Sequence, residues 1–177
     1  APSHGVIWRA KPLQIVEKYR EWAAQKPEPR AVVVYGTMWD GTRRMAEAIA
    51  DGLTEAGIDH KMFHAAAHDR NDILVEVFKA RTLIVGSPTM NGGLLPTIWP
   101  ILQDIKGLRF KNKMGAAFGC YGWGGESVKI IEDHFAQCKI PLVREGIRCK
   151  WQPRAEELEE CRAFGREVGE ATKRVQV

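Results

Sequence analysis

Long apolar runs are missing from this chain. No stretch approaches the ~20 consecutive apolar residues of a membrane-spanning helix, and the N-terminus has neither the basic nor the apolar region of a secretion signal. A cytoplasmic protein with no membrane partner is the expectation. Cysteine is scarce: Cys120, Cys138, Cys149 and Cys161 are the only four, and no two stand at C-x-x-C spacing. That argues against a structural zinc site and, without a secretion signal, for free thiols over disulfides. Strong charge of one sign is missing too. The formal net charge of +4 is spread along the chain, and its densest basic group, Lys106, Arg109, Lys111 and Lys113, reads as a solvated surface, so no nucleic-acid partner is expected. Histidine at metal-ligand spacing occurs once, at His60, His64 and His68. Ile58–His64 alternates like a strand, however, and the residues after it read as a turn, so surface or capping roles are expected there. Internal repeats and low-complexity segments do not occur.

What is present is a set of apolar runs that each stop abruptly in a polar, glycine-containing loop. Ala31-Val32-Val33-Val34-Tyr35 reads as a parallel strand covered on both faces. It ends in Gly36-Thr37-Met38-Trp39-Asp40-Gly41-Thr42, after which Thr42, Met45, Ala46, Ile49, Ala50 and Leu53 mark one face of a helix. A strand turning tightly into a helix N-terminus presents free backbone N–H groups and the positive end of the helix dipole, which together make an anion site. Gly36 and Gly41 have the glycine spacing of a P-loop, but Thr42 stands where the lysine belongs, so a nucleoside triphosphate with magnesium fits poorly. G-x-G-x-x-G is absent as well, which disfavours a dinucleotide pyrophosphate. The Thr37 and Thr42 hydroxyls and the amides suit a single terminal phosphomonoester, such as that of flavin mononucleotide (FMN). On this loop alone, an ordinary strand–turn–helix capped by threonine remains an equal reading.

Two further loops favour the ligand. The run Thr82–Gly86 leads into Ser87-Pro88-Thr89-Met90-Asn91-Gly92-Gly93, and the run Met114–Gly119 into Cys120-Tyr121-Gly122-Trp123-Gly124-Gly125-Glu126. In a doubly wound sheet, ligands bind beyond the carboxyl ends of the strands where the strand order reverses, so the three loops converge on one crevice. The first offers phosphate donors, the second flexible backbone at Asn91, Gly92 and Gly93, and the third aromatic faces for a flat ring.

The motifs Thr-Met-Trp-x-x-Thr, Gly-Ser-Pro-Thr-x-Asn-Gly and Gly-x-Tyr-Gly-Trp-x-Gly-Glu resemble the three flavin-binding loops of the flavodoxin-like domain of flavodiiron proteins (A-type flavoproteins). The resemblance implies FMN held by Thr37, Met38, Trp39, Asp40, Gly41 and Thr42, by Ser87, Pro88, Thr89, Met90, Asn91, Gly92 and Gly93, and by Cys120, Tyr121, Gly122, Trp123 and Gly124. It reaches the N-terminus, where Ala1-Pro2-Ser3-His4-Gly5, Ile7-Trp8-Arg9 and an amphipathic stretch to Trp22 resemble the junction with that family's diiron domain. His4 matches the last histidine ligand of the family's iron site. The other ligands would lie upstream of residue 1, so His4 is not expected to bind iron alone.

The implied role is electron transfer, with no catalytic residue in this chain. Rubredoxin or a similar donor would reduce the flavin, which would pass electrons to a diiron centre that reduces dioxygen or nitric oxide, in a head-to-tail homodimer of the parent protein. A free-standing FMN-dependent quinone reductase of the same fold and a flavin-free interaction module are the rival readings.

The pattern divides the chain into a junction segment over 1–29, with an amphipathic helix over Lys11–Gln25 and a Pro27-Glu28-Pro29 linker, and a flavodoxin-like domain over 30–177. Strands are expected near Ala31–Tyr35, Asp59–Phe63, Thr82–Val85, Met114–Phe118 and Leu142–Ile147. Helices are expected near Thr42–Ala56, Asn71–Lys79, Leu95–Ile105, Glu126–Gln137 and Ala155–Arg174. Such alternation implies a five-stranded parallel α/β sheet with helices on both faces, and the family resemblance implies the order 2-1-3-4-5.

Overall fold

In the computed structural model, which describes residues 3–174, Ala31, Val32, Val33 and Val34 are all fully buried, as are Ile84, Val85, Ala116 and Ala117. Strands with no solvent face need helices on both sides, and the chain supplies them. The elements in order are α1 (Gln14–Ala24), β1 (Glu28–Tyr35), α2 (Gly41–Glu55), β2 (His60–His64), α3 (Arg70–Lys79), β3 (Ala80–Gly86), β4 (Thr89–Met90), β5 (Gly93–Leu94), α4 (Trp99–Leu108), β6 (Met114–Tyr121), α5 (Glu126–Gln137), β7 (Ile147–Lys150) and α6 (Ala155–Lys173). The main sheet is parallel with the order β2-β1-β3-β6-β7, which is the expected 2-1-3-4-5 once the small β4–β5 hairpin is set aside. Among the described residues, no helix is long and apolar enough to cross a membrane.

Side-chain alternation along β1 divides the core in two. Ala31, Val33 and Tyr35 point to the layer with Met45, Ile49 and Leu53 of α2 and Phe164 and Val168 of α6. Val32 and Val34 point to the layer with Ile73 and Val77 of α3, Ile101, Leu102 and Ile105 of α4, and Ile131 and Phe135 of α5. Helices α2 and α6 approach so closely that a Cβ on Gly52 would overlap the Arg162 carbonyl, and one on Gly165 would overlap that of Ile49. Glycine is required at both positions for this contact, which locks the helix carrying the first loop against the C-terminal helix.

Several boundaries differ from the sequence reading. The last strand is Ile147–Lys150 and not Leu142–Ile147: Leu142 makes only an isolated bridge to Gly115, and Arg144-Glu145-Gly146 leaves the ladder, with the Gly146 N–H donating to the Glu132 carboxylate at 2.7 Å. The β6 strand runs on to Tyr121, so β7 pairs with Phe118–Tyr121 and both strands end further along the chain. Helix α4 begins at Trp99 instead of Leu95, because Leu94 belongs to β5 and Leu95–Ile98 forms a turn ahead of Pro100. Finally, β1 starts at Glu28, inside the expected linker, with a register shift between Glu28 and Ala31.

Helix α1 stands apart from both layers. None of its residues is buried, and Val16, Tyr19 and Trp22 present its apolar side to solvent. Its C-terminal end is tied to the body through Gln25, whose Oε1 accepts from the Lys111 N–H at 2.7 Å and whose carbonyl accepts from Asn112 Nδ2 at 3.0 Å. Ala1 and Pro2 of the junction motif lie outside the described residues.

The basic group ahead of β6 is not uniformly solvated. Lys113 is buried, with Nζ donating at 2.6 Å to both the Phe78 and the Ala80 carbonyls and lying within 6 Å of the Phe78 and Phe110 ring centres. Just ahead of β6, Lys113 thus ties the start of that strand to the end of α3 and the start of β3. The histidines serve the strand and turn: His64 stacks on Tyr35 at 5.2 Å, and His68 Nδ1 lies 3.0 Å from the His64 carbonyl. All four cysteines are free thiols.

Candidate functional site

The carboxyl ends of β1, β3, β6 and β7 surround a crevice of about 720 Å³, within the usual size range of small-molecule sites. Each wall is a loop that follows one strand.

The first wall joins β1 to α2. Thr37, Met38, Trp39, Gly41 and Thr42 line it. Asp40 holds left-handed backbone (φ +61°), which aspartate tolerates better than most residues, and this turns the chain sharply into the first helical residue. Asp40 does not line the crevice. Its carboxylate accepts from Arg43 Nε at 2.9 Å, and that hydrogen bond holds it below the ordinary carboxylate range. The Thr37 hydroxyl is buried and has no hydrogen-bond partner. Buried polar groups are almost always paired, so an orphan hydroxyl beside a helix N-terminus marks a place for an acceptor. Thr42 is almost fully enclosed, and a Cβ on Gly41 would stand 3.0 Å from Cys120 Sγ, so backbone forms this part of the cradle.

The second wall follows β3. Pro88, Thr89, Met90, Asn91 and Gly92 line it, whereas Ser87 and Gly93 stand behind it. Ser87 braces the loop: its Oγ accepts from the Leu95 N–H at 2.9 Å, and its carbonyl accepts from Ser127 Oγ at 2.9 Å. Gly93 pairs with Met90 in the β4–β5 hairpin. At the tip, Asn91 (φ +51°) and Gly92 (φ +67°) are both left-handed, the signature of a type I′ two-residue turn. The sequence reading found the flexible residues but not the hairpin, because Asn-Gly between such short strands has no long alternating flanks.

The third wall follows β6. Cys120, Tyr121, Gly122, Trp123 and Gly124 line it, as does Glu126. Cys120 forms part of the floor, its Sγ 3.4 Å from Met45 Sδ, and burial pushes its thiol up to about 11. Trp123 is 89% exposed and projects over the opening. The Glu126 carboxylate presses against Gly124, where even a methyl group would overlap it.

A fourth wall, missed from sequence, follows β7: Trp151 and Gln152 also line the crevice. Trp151 meets Trp123 edge-to-face at 5.3 Å. The rule that placed the other loops would have found it, had the last strand been read as ending at Lys150. His4, by contrast, sits in the exposed N-terminal segment, and no cluster of three metal-capable side chains exists among the described residues.

The flavodoxin family model matches residues 33–165, which contain all four walls. The nitric oxide reductase of Moorella thermoacetica is 47% identical over 169 residues, covering 95% of this chain and 42% of that protein. The structure of rubredoxin oxygen:oxidoreductase from Desulfovibrio gigas superposes with a TM-score of 0.86 at 35% identity, over 89% of this chain and 39% of that one. The flavodiiron protein of Giardia intestinalis gives the same TM-score at 26% identity, over 93% and 41%. The chain thus spans less than half the length of these relatives. A flavodoxin domain implies FMN as the cofactor, and a cradle of backbone amides with an orphan hydroxyl suits its phosphate. The chain belongs to the flavodoxin family, as a flavodoxin-like domain of the kind found in flavodiiron proteins.

Proposed function

We propose that this chain binds FMN with the phosphate on the Thr37–Thr42 loop and the ring between the Asn91–Gly92 hairpin and the Tyr121–Trp123 loop. The observation that carries this reading is the buried, unpartnered Thr37 hydroxyl at the entrance to α2. The loop has no lysine, so the charge of a phosphomonoester would be met by amides, the helix dipole and the two threonine hydroxyls. When bound, the ring supplies one- and two-electron chemistry. The protein encloses it, orients it and sets its potential: Glu126 lines the crevice and opposes a gain of negative charge there, whereas the Asp40 carboxylate is turned away toward Arg43.

The domain serves in a longer protein in which 1–29 forms the junction and 30–177 the flavin domain. Electrons enter from a rubredoxin-type donor and leave to a diiron centre outside this chain, and two such proteins pair head to tail. The three relatives named above support this assignment, since they are named as a nitric oxide reductase, a rubredoxin oxygen:oxidoreductase and a flavodiiron protein. A free-standing quinone reductase is not favoured by any of them. His4 alone binds no iron, because one imidazole at an exposed segment cannot supply the several ligands an iron pair needs.

Titration of the purified chain with FMN, riboflavin and FAD tests the first claim. FMN should bind tightest, and riboflavin matching FMN would refute the phosphate loop. Metal analysis with anaerobic nitric oxide turnover tests the second. The chain should hold no stoichiometric iron and produce no nitrous oxide, and catalytic production by the chain alone would overturn the division of labour.

A further inference from the structure

Trp151 adopts left-handed backbone (φ +61°), a conformation that costs a bulky aromatic residue energy and persists only where its surroundings enforce it. Two contacts enforce it here. Its N–H donates to the Tyr121 carbonyl at 2.7 Å, and its ring covers Gly122 so closely that a Cβ there would stand 3.1 Å away. This turn sends the next side chain toward the opposite wall. Gln152 Nε2 donates to the Trp39 carbonyl at 2.5 Å, and Gln152 Oε1 stands 3.3 Å from where a Cβ on Gly41 would be. One strained dipeptide therefore joins the aromatic loop to the loop at the start of α2.

We propose that Gln152 is a positioning residue for the FMN phosphate. The inference rests on the FMN reading above and extends it to a residue outside the three family loops. A loop without a lysine depends on the direction of its N–H groups, and a carbonyl turned toward the anion would repel it. By occupying the Trp39 carbonyl, the Gln152 amide keeps that dipole directed at itself and fixes the Trp39–Gly41 turn, so the amides of the first turn of α2 face the same point as the Thr37 hydroxyl. Gln152 lines the crevice, but its amide N–H is engaged by the Trp39 carbonyl, so its proposed effect on the phosphate runs through the loop.

The test is the affinity of the full 177-residue chain for FMN and for riboflavin, which has the same ring without the phosphate. Gln152→Ala should weaken FMN about fivefold, the worth of one ordinary hydrogen bond, and leave riboflavin within about twofold. Gln152→Glu keeps the size but lacks the donor and adds a negative charge beside the loop; it should weaken FMN further and again spare riboflavin. Gln152 is exposed, so both variants should melt with the wild type. An unchanged FMN affinity in either variant overturns the proposal. Equal losses for FMN and riboflavin also overturn it, since they would mean a general loosening of the crevice. A wild-type chain with no preference for FMN over riboflavin refutes the phosphate reading itself and takes this inference with it.

Discussion

The two ends of the parallel sheet differ in how their buried polar side chains are satisfied. Arg30, Glu76 and Arg81 at the amino end each leave one atom without a hydrogen bond but pair through their others, whereas Thr37 at the carboxyl end has a single polar atom and no partner for it. At the amino end, Lys113 carries a buried amine whose donors reach the Phe78 and Ala80 carbonyls between two aromatic rings. At the carboxyl end, the Thr37 hydroxyl is buried with no partner, and left-handed residues at Asp40, Asn91 and Trp151 shape three of the four walls. A buried polar group that is satisfied within the chain contributes to the fold. A side chain whose one hydroxyl is left unsatisfied in a crevice beside a helix N-terminus is open to a ligand. The chemistry of the side chain does not separate these cases, since a buried lysine looks more functional than a threonine. The count of its partners does so only together with its place in the crevice, since the Thr97 hydroxyl is equally unpartnered but does not line it.

The comparison breaks most directly at the first wall. Thr37→Val and Thr42→Val each remove a hydroxyl while keeping the shape, and each should cost about 1.5–3 kcal/mol of FMN binding, the worth of a hydrogen bond to a charged group. Isothermal titration should show this loss for FMN and a much smaller one for riboflavin. If neither variant discriminates, the unpartnered hydroxyl is not a ligand contact and the contrast between the two ends falls.

At the other end, Lys113→Met should destabilise the fold by about 1–3 kcal/mol, because two buried carbonyls lose their donor, with FMN affinity unchanged. Burial lowers the Lys113 amine to about 8. Between about pH 8 and the ordinary lysine value of 10.5 the unfolded chain binds the extra proton and the folded chain does not, so this group adds stability as pH rises through that window. Urea denaturation of both proteins across the window should show the wild-type advantage widening with pH. A gap that narrows would mean that the carbonyl contacts favour the charged amine more than burial opposes it.

A smaller effect is expected at the hairpin tip. Gly92→Val places a β-branched residue at φ +67°, where steric strain of about 1–2 kcal/mol follows although no neighbouring atom would be struck. Spectroelectrochemical titration of the FMN-loaded chain should show a shifted one-electron potential, and identical potentials for both steps would remove the Asn91–Gly92 peptide from the ring's contacts. The smallest effect is chemical. Because burial raises the Cys120 thiol to about 11, iodoacetamide should leave it unlabelled at pH 8, as read by mass spectrometry of the peptide. Rapid labelling there would show a floor open to reagent.

Most of the site was legible because its residues follow directly from strands that are themselves legible. Ala31–Val34 and Leu83–Val85 are apolar on both faces, which marks central parallel strands, and the loops after them come with the strands. Ser87 shows the limit of that logic. It belongs to the right loop, yet its side chain is spent on Leu95 and on the backbone, and only three-dimensional pairing separates a brace from a wall residue. Lys113 shows the same limit at the far end, since a lysine within a basic cluster carries no local sign that two carbonyls will cover it.

The sequence by itself determined the α/β class, the alternation of strands and helices and the three glycine-containing loops, because hydrophobic periodicity and glycine placement are local properties. The flavodiiron character came from the resemblance of the loop motifs. Tertiary structure alone decided where β7 ends, and so the fourth wall of Trp151 and Gln152. The Ile147–Lys150 stretch, with alternating Arg148 and Lys150, has little apolar content of its own and is a strand because β6 continues to Tyr121 and offers it a ladder. A strand at the edge of a sheet takes its limits from its neighbour, and so do the residues that follow it into the crevice.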